Sequence, residues 1–183
     1  FVYWRQGGLV NQFQVTVLLG GRGAEREVSL RSGAAVARAL RGLGHAVSEV
    51  DPAGESWELP TKTEVVFLAL HGEYGEDGQV QSRLETLGVP YTGTNAVGSA
   101  LAFDKVRSKE LFQQHQITSP RGVLIDSPTS APPGTIPAPW ILKPAAQGSS
   151  VGLNRVEEEA GWNVALADSL RYGGAVLCEE CIQ

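Results

Sequence analysis

A chain of 183 residues with 42% hydrophobic side chains is long enough to bury a real core, as one domain or two small ones. Its net charge of −5, with 15 Lys and Arg scattered among 20 Asp and Glu, excludes a nucleic-acid-coating surface, and no apolar run approaches the length of a membrane span. Two cysteines do not make a disulfide scaffold, so a reducing, cytoplasmic setting is expected.

Residues 1–14 lack the apolar core of a signal peptide, and no methionine occurs in the chain, so they read as an extension and not an export signal. Val15-Thr16-Val17-Leu18-Leu19 reads as a buried strand running into Gly20-Gly21-Arg22-Gly23. A helix follows over 28–43, with Val28, Ala35, Val36, Ala39, Leu40 and Leu43 apolar, and Gly42 and Gly44 end it. A second strand over 46–50 completes one βαβ unit ending at Asp51. The spacing then predicts a strand over 64–70, a loop over 71–78, a helix over 79–87, a short strand over 89–92 and a helix from Asn95 to about Phe103. Such alternation points to an α/β fold with a Rossmann-like parallel sheet.

Composition shifts near Asp104. A helix over 105–114 and a strand over 122–125 lead into a segment, 127–139, whose five prolines preclude regular structure. Trp140-Ile141-Leu142 reads as a buried strand that should stop at Pro144, leaving Lys143 at its end beside Gln147-Gly148-Ser149-Ser150-Val151-Gly152. A cation on a rigid strand beside a loop rich in N–H and hydroxyl donors suits a polyphosphate, although the same residues also fit a turn with a surface lysine. A strand over 151–156, a helix over 157–172 with Trp162, Ala165, Leu166 and Leu170 on one face, and a strand over 175–182 complete the chain. The second half therefore reads as a separate, incomplete domain.

Three segments carry candidate chemistry. The loop 20–27 invites a dinucleotide fingerprint with Asp51 on the ribose, but Arg26 stands where a small residue is needed and Glu25 would repel a pyrophosphate. A carboxylate at that strand edge suits an ammonium group better, with a helix-dipole or capping role for Glu25 as the plain alternative. His71, leading Gly72-Glu73-Tyr74-Gly75-Glu76-Asp77-Gly78, falls at the same carboxyl edge and could donate to a carboxylate, while Glu76 and Asp77 could hold the loop or cap the next helix. A serine triad through His71 lacks a Gly-x-Ser-x-Gly elbow. Cys178-Glu179-Glu180-Cys181 is formally C-x-x-C, yet no second pair completes a zinc site, and two buried cysteines flanking two acids is the simpler account.

Five of these segments together, 17–29, 69–78, 90–93, 103–105 and 141–152, resemble in order and spacing the successive signatures of D-alanine:D-alanine ligases, which are bacterial ATP-grasp enzymes of peptidoglycan synthesis. The resemblance implies an N-terminal substrate-binding domain over 15–103 and part of an α+β ATP-grasp domain over 104–183. It implies ligation of two D-alanines through a D-alanyl phosphate. Glu25 and Ser149 would be the catalytic pair; Glu25, Val28, His71 and Ser149 would bind the first D-alanine. ATP would meet Lys105, Lys143, Gly148, Ser149, Ser150, Val151, Glu179, Glu180, Cys181 and Ile182. Magnesium or manganese is implied as cofactor, its ligands belonging to a third region with no counterpart here, so a fragment without turnover is expected. D-alanine and ATP are the implied partners, with a homodimer in the cytoplasm and neither nucleic acid nor membrane. Phe103 and Cys181 depart from the family's usual methionine and aromatic. A nonenzymatic nucleotide or amino-acid binding module, and an NAD(P)-dependent oxidoreductase, are the rival readings.

Overall fold

Strand β1 (Gln14–Leu18) shows no alternation: Val15, Thr16, Val17 and Leu18 are all buried, the pattern of a strand covered on both faces. The computed structural model describes residues 12–54 and 56–182, so the expectation for residues 1–11 lies outside the described residues. Beyond β1 come α1 (Arg26–Gly42), β2 (Ala46–Val50) and β3 (Val65–Leu68), and the sheet has the order β2-β1-β3 with both pairings parallel. Helix α1 ends where expected, with Gly44 in the left-handed region and its N–H on Arg41 O at 3.0 Å. Gly33 makes the close packing of α1 on β1 possible, since a Cβ there would lie 2.4 Å from Leu19 Cβ. The strand expected over 89–92 reduces to one parallel bridge, Val66 to Tyr91. Pro90 has no N–H to extend a ladder, and Gly93 at φ +112° turns the chain away.

The chain forms two compact units, one from Phe1–His71 and Gln81–Thr94, the other from Gly72–Val80 and Asn95–Gln183. Helix α2 (Gln79–Leu87) leads to α3 (Ala96–Phe103) and α4 (Lys105–Gln114). Asn95 caps α3 through Gly98 N–H at 2.8 Å, and Asp104 caps α4 through the N–H groups of Val106 and Arg107. The second unit's sheet is antiparallel and contains β4 (Gly122–Ile125), β5 (Trp140–Pro144), β6 (Asn154–Val156) and β7 (Val176–Glu180), in the order β4-β7-β5-β6. One face is apolar: Ile125, Trp140, Leu142, Val156, Val176 and Cys178 pack with Trp162, Ala165 and Leu166 of α5 (Trp162–Leu170).

Three expectations here need trimming. Residues 151–153 form a turn, not strand, because Gly152 at φ +67° reverses the chain before β6. The helix expected over 157–172 is split, a 3-10 turn at Glu159–Gly161 preceding α5, with Gly161 lowering helical propensity at the junction. The last strand stops at Glu180. The proline-rich segment has no regular element, yet Ile136 is buried, and the indole N–H groups of Trp140 and Trp162 donate to Ile136 O and Ser130 O.

Candidate functional site

In the first unit the carboxyl ends of β1 and β3 converge on the start of α1. Ser29, fully buried, ties them: its hydroxyl donates to Ala69 O at 2.6 Å and accepts from Gly20 N–H at 2.8 Å. One turn on, Ser32 Oγ hydrogen-bonds His71 Nε2 at 3.0 Å, so the imidazole is held on α1. Glu25 stands at the N-cap position without a side-chain capping bond, so of its plain alternatives the helix-dipole role remains and the capping bond does not, and Val28 is exposed on the first turn. Glu25, Val28 and His71 therefore share one edge of the parallel sheet, the side on which open α/β sheets take ligands.

The glycine loop is occupied by the protein itself. Asp51 accepts from Gly21 N–H at 2.9 Å and Ala53 N–H at 3.0 Å, and pairs with the Arg26 guanidinium at 2.6 Å. The hydrogen bond from Arg26 holds the Asp51 carboxyl below its usual range. A carboxylate so engaged is not offered to a ribose, and Arg26 fills the space where a pyrophosphate would approach, so the dinucleotide reading loses both its features.

Residues 72–78 form a self-braced loop. Gly72 N–H donates to Glu76 Oε2 at 2.9 Å, Tyr74 N–H to Asp77 Oδ2 at 2.8 Å, and Gln79 N–H to Asp77 Oδ1 at 3.0 Å. Glu76 and Asp77 thus do the holding and capping expected of them. Gly78 must be glycine, because a Cβ would sit 2.4 Å from Ala96 O at φ +92°.

The second unit's cations gather on the sheet face opposite its core. Strand alternation puts Ile141 and Lys143 of β5 with Leu177 and Glu179 of β7 on that face, and Glu180 on the other. Glu179, with 7% of its side chain exposed, pairs through Oε2 with Lys143 Nζ and through Oε1 with Lys109 Nζ at 2.7 Å. Lys109 also donates to Pro120 O and to Ser119 Oγ. Gly122 lies directly across from Glu179, where a Cβ would come within 3.1 Å of the Glu179 side chain, so a bare backbone leaves the carboxylate its place. Lys105 donates to Gln147 O at 2.5 Å, and burial and then the neighbouring Lys143 push its ammonium below its usual range. Lys109 was not singled out from sequence; the i, i+4 spacing from Lys105 on one helix face is the signal that could have found it.

Beside these cations runs the loop of Gly148, Ser149, Ser150 and Val151. Ser149 adopts φ +51°, and the two serines are exposed. Its downstream stem is fixed: Gly152 O accepts from Ser169 Oγ at 2.7 Å and from Asn154 Nδ2 at 3.2 Å, and a Cβ at Gly152 would strike Tyr172 and Pro144. Glu180 does not join the lysines; Arg121 binds it through both N–H and Nε at 2.8 Å, which lowers its pKa. Cys181 N–H donates to Pro139 O, and Ile182 is exposed. Both cysteines are free thiols. Cys178 is buried and its pKa is pushed up to about 11 by desolvation, whereas Cys181 is only half-buried, contrary to the expectation of two buried cysteines, because β7 has ended before it. Among the described residues no group of three or more His, Cys, Asp or Glu could hold a metal ion, and no helix is long and apolar enough to cross a membrane.

Comparison with known proteins bears on both units. Residues 47–94 match the family described as the D-ala D-ala ligase N-terminus, and residues 131–183 the D-ala D-ala ligase C-terminus. The D-alanine–D-alanine ligase of Nitrosomonas europaea is 44% identical over 93% of this chain and 57% of its own length. The chain belongs to the D-alanine–D-alanine ligase family. Another such ligase, from Polaromonas sp., is 42% identical over 92% of this chain and 52% of its own. The crystal structure of D-alanyl-alanine synthetase A from Vibrio cholerae O1 biovar eltor superposes with a TM-score of 0.80 at 26% identity, covering 95% of this chain and 61% of that one. The parallel sheet followed by a separate antiparallel sheet is thus the fold of D-alanine–D-alanine ligases with a partial ATP-grasp. The chain spans a little over half the length of the curated relatives it matches.

Proposed function

We propose that the chain supplies substrate-binding and nucleotide-binding parts of an enzyme that joins two D-alanines at the expense of ATP, for the peptidoglycan precursor. The observation that carries this reading is the cluster of Lys105, Lys109 and Lys143 around Glu179 beside a glycine-serine loop. Two ammonium groups pair with the Glu179 carboxylate there, and a third, on Lys105, feels Glu179 and Asp104 through charge alone, so Lys105 and Lys143 stand side by side as cations that a polyphosphate satisfies. Lys105 and Lys143 take the phosphates, and Gly148, Ser149, Ser150 and Val151 close over them. Glu179, Glu180, Cys181 and Ile182 lie along the adenine and ribose. Since Glu179 and Glu180 point to opposite faces, Glu179 bears on the nucleotide from the lysine face through the lysines it holds, while Glu180 acts from the strand end with its neighbours' backbone.

In this reading Glu25 takes the ammonium of the first D-alanine, and His71 its carboxylate, with Val28 beside them, and Ser149 serves the same substrate. The D-alanine carboxylate attacks the terminal phosphorus and ADP leaves. The amine of the second D-alanine then attacks the acyl carbon, releasing phosphate and a proton. The lysines stabilise the charge that develops on the transferred group, and the serine is a positioning group. The magnesium that the family resemblance implies finds no set of ligands among the described residues, and no step here runs through it. The domain limits 15–103 and 104–183, a cytoplasmic setting and a homodimer belong to the same proposal.

Titration of the chain with ATP is the first measurement, and binding in the micromolar to millimolar range is expected. D-alanine-dependent phosphate release from magnesium-ATP, with L-alanine as control, then tests the ligase chemistry on any longer polypeptide that carries this segment. ATP binding without D-alanine-dependent release from such a polypeptide would favour a nucleotide-binding module instead.

A further inference from the structure

The chain has only four lysines, Lys62, Lys105, Lys109 and Lys143; two of them, Lys109 and Lys143, pair with the Glu179 carboxylate, and Lys105 is near enough to feel its charge. Lys105 and Lys143 have a use in the nucleotide-binding reading; Lys109 has none. Its ammonium has three N–H donors, and three acceptors take them: Glu179 Oε1, Pro120 O and Ser119 Oγ. A lysine satisfied in this way is a fixed charge. Lys143 differs, since among the described residues its one ionic partner is Glu179 Oε2. The carboxylate therefore holds one cation that is anchored and one that can be released.

That difference matters when a phosphate arrives. If Lys143 turns to a phosphate oxygen, it leaves Glu179 with 7% of its side chain exposed, and a buried carboxylate stripped of its counter-charge is strongly disfavoured. Lys109 removes the difficulty by remaining on the other oxygen. It also fixes which way the carboxylate faces, because the backbone of Pro120 and the hydroxyl of Ser119 set the position of its nitrogen. Gly122 supplies the room on the opposite strand.

We propose that Lys109 is a positioning residue for nucleotide binding, holding the Glu179 carboxylate so that Lys143 can exchange that carboxylate for a phosphate oxygen. The proposal rests on the nucleotide-binding reading and deepens it. A purely structural staple of α4 to the sheet would have the same contacts in the empty protein. It differs in that it would not couple to Glu179 when ATP binds.

A double-mutant cycle on ATP affinity separates the two. Lys109→Gln keeps a hydrogen-bonding side chain and removes the charge; Glu179→Gln removes the carboxylate that Lys109 serves. In the unmodified background Lys109→Gln is expected to weaken ATP binding at least tenfold, and in the Glu179→Gln background by less than twofold. Equal losses in both backgrounds, or no loss in either, would overturn the proposal while leaving ATP binding intact. A chain that fails to bind ATP at all would instead remove the nucleotide reading and this inference with it. Should Lys109→Gln not fold, the unmodified protein labelled on its four lysines gives the answer by NMR during an ATP titration. The side-chain resonances of Lys143 and Lys105 are expected to move and those of Lys109 to stay; a Lys109 shift as large as that of Lys143 would overturn the proposal.

Discussion

Gly33 lies in the middle of α1, where glycine costs helix stability, and its reason is the 2.4 Å that a Cβ would leave to Leu19 Cβ. Gly33→Ala is therefore expected to destabilise the protein by about 1–3 kcal/mol, seen as a lower urea midpoint, although alanine is the better helix former. Asp51 gives a pH signature. Its folded pKa lies below the unfolded value, so its pairing with Arg26 contributes fully above about pH 4 and is lost as pH falls through the depressed folded pKa. An acid titration of stability should accordingly be shallower in Asp51→Asn than in the parent below about pH 4, while the variant is less stable at neutral pH. Thiol reagents supply a third outcome: in the native protein Cys181 is modified first, and Cys178, buried and with a pKa of about 11, reacts only on unfolding.

At the scale of elements, single buried hydrogen bonds hold the loops that carry the candidate site. Ser29 joins the end of β1 to the end of β3, so Ser29→Ala strands a buried carbonyl and a buried N–H, and a loss of about 1–3 kcal/mol is expected by chemical denaturation. Most strands and helices were legible as apolar periodicity bounded by glycine: β1, β2, β4 and α4 fall within a residue or two of their expected limits. What the periodicity could not show was where a ladder lacks a donor or a turn intrudes. Pro90 cut the strand expected over 89–92 to one bridge, and Gly152 turned 151–153 out of β6. The segment 127–139 reads as featureless, and the two indole N–H groups that fix it come from Trp140 and Trp162, which no local pattern connects to it.

Over the whole molecule, charge is unevenly distributed by type. The eleven arginines are scattered along the sequence, whereas two of the four lysines pair with Glu179 and a third, Lys105, lies within reach of its charge. Lys105 and Lys143 are legible as site residues because each adjoins a motif; Lys109 stands out in sequence only as part of a small basic cluster with Lys105, since its partner lies 70 residues away. Phosphate attraction by that cluster should be salt-sensitive, and raising ionic strength from about 0.05 to 0.5 M is expected to weaken ATP binding several-fold in equilibrium titrations. The same distribution governs how the protein can be handled. Reagents that acylate side-chain amines, including those used to biotinylate a protein or couple it to a sensor chip, find one exposed target at Lys62 and otherwise only the cluster itself. Heavy amine labelling would neutralise that cluster, and with it the proposed nucleotide site, in preparations that still fold, so attachment through a chain end, away from the lysines and from Cys181, keeps the cluster intact for measurement.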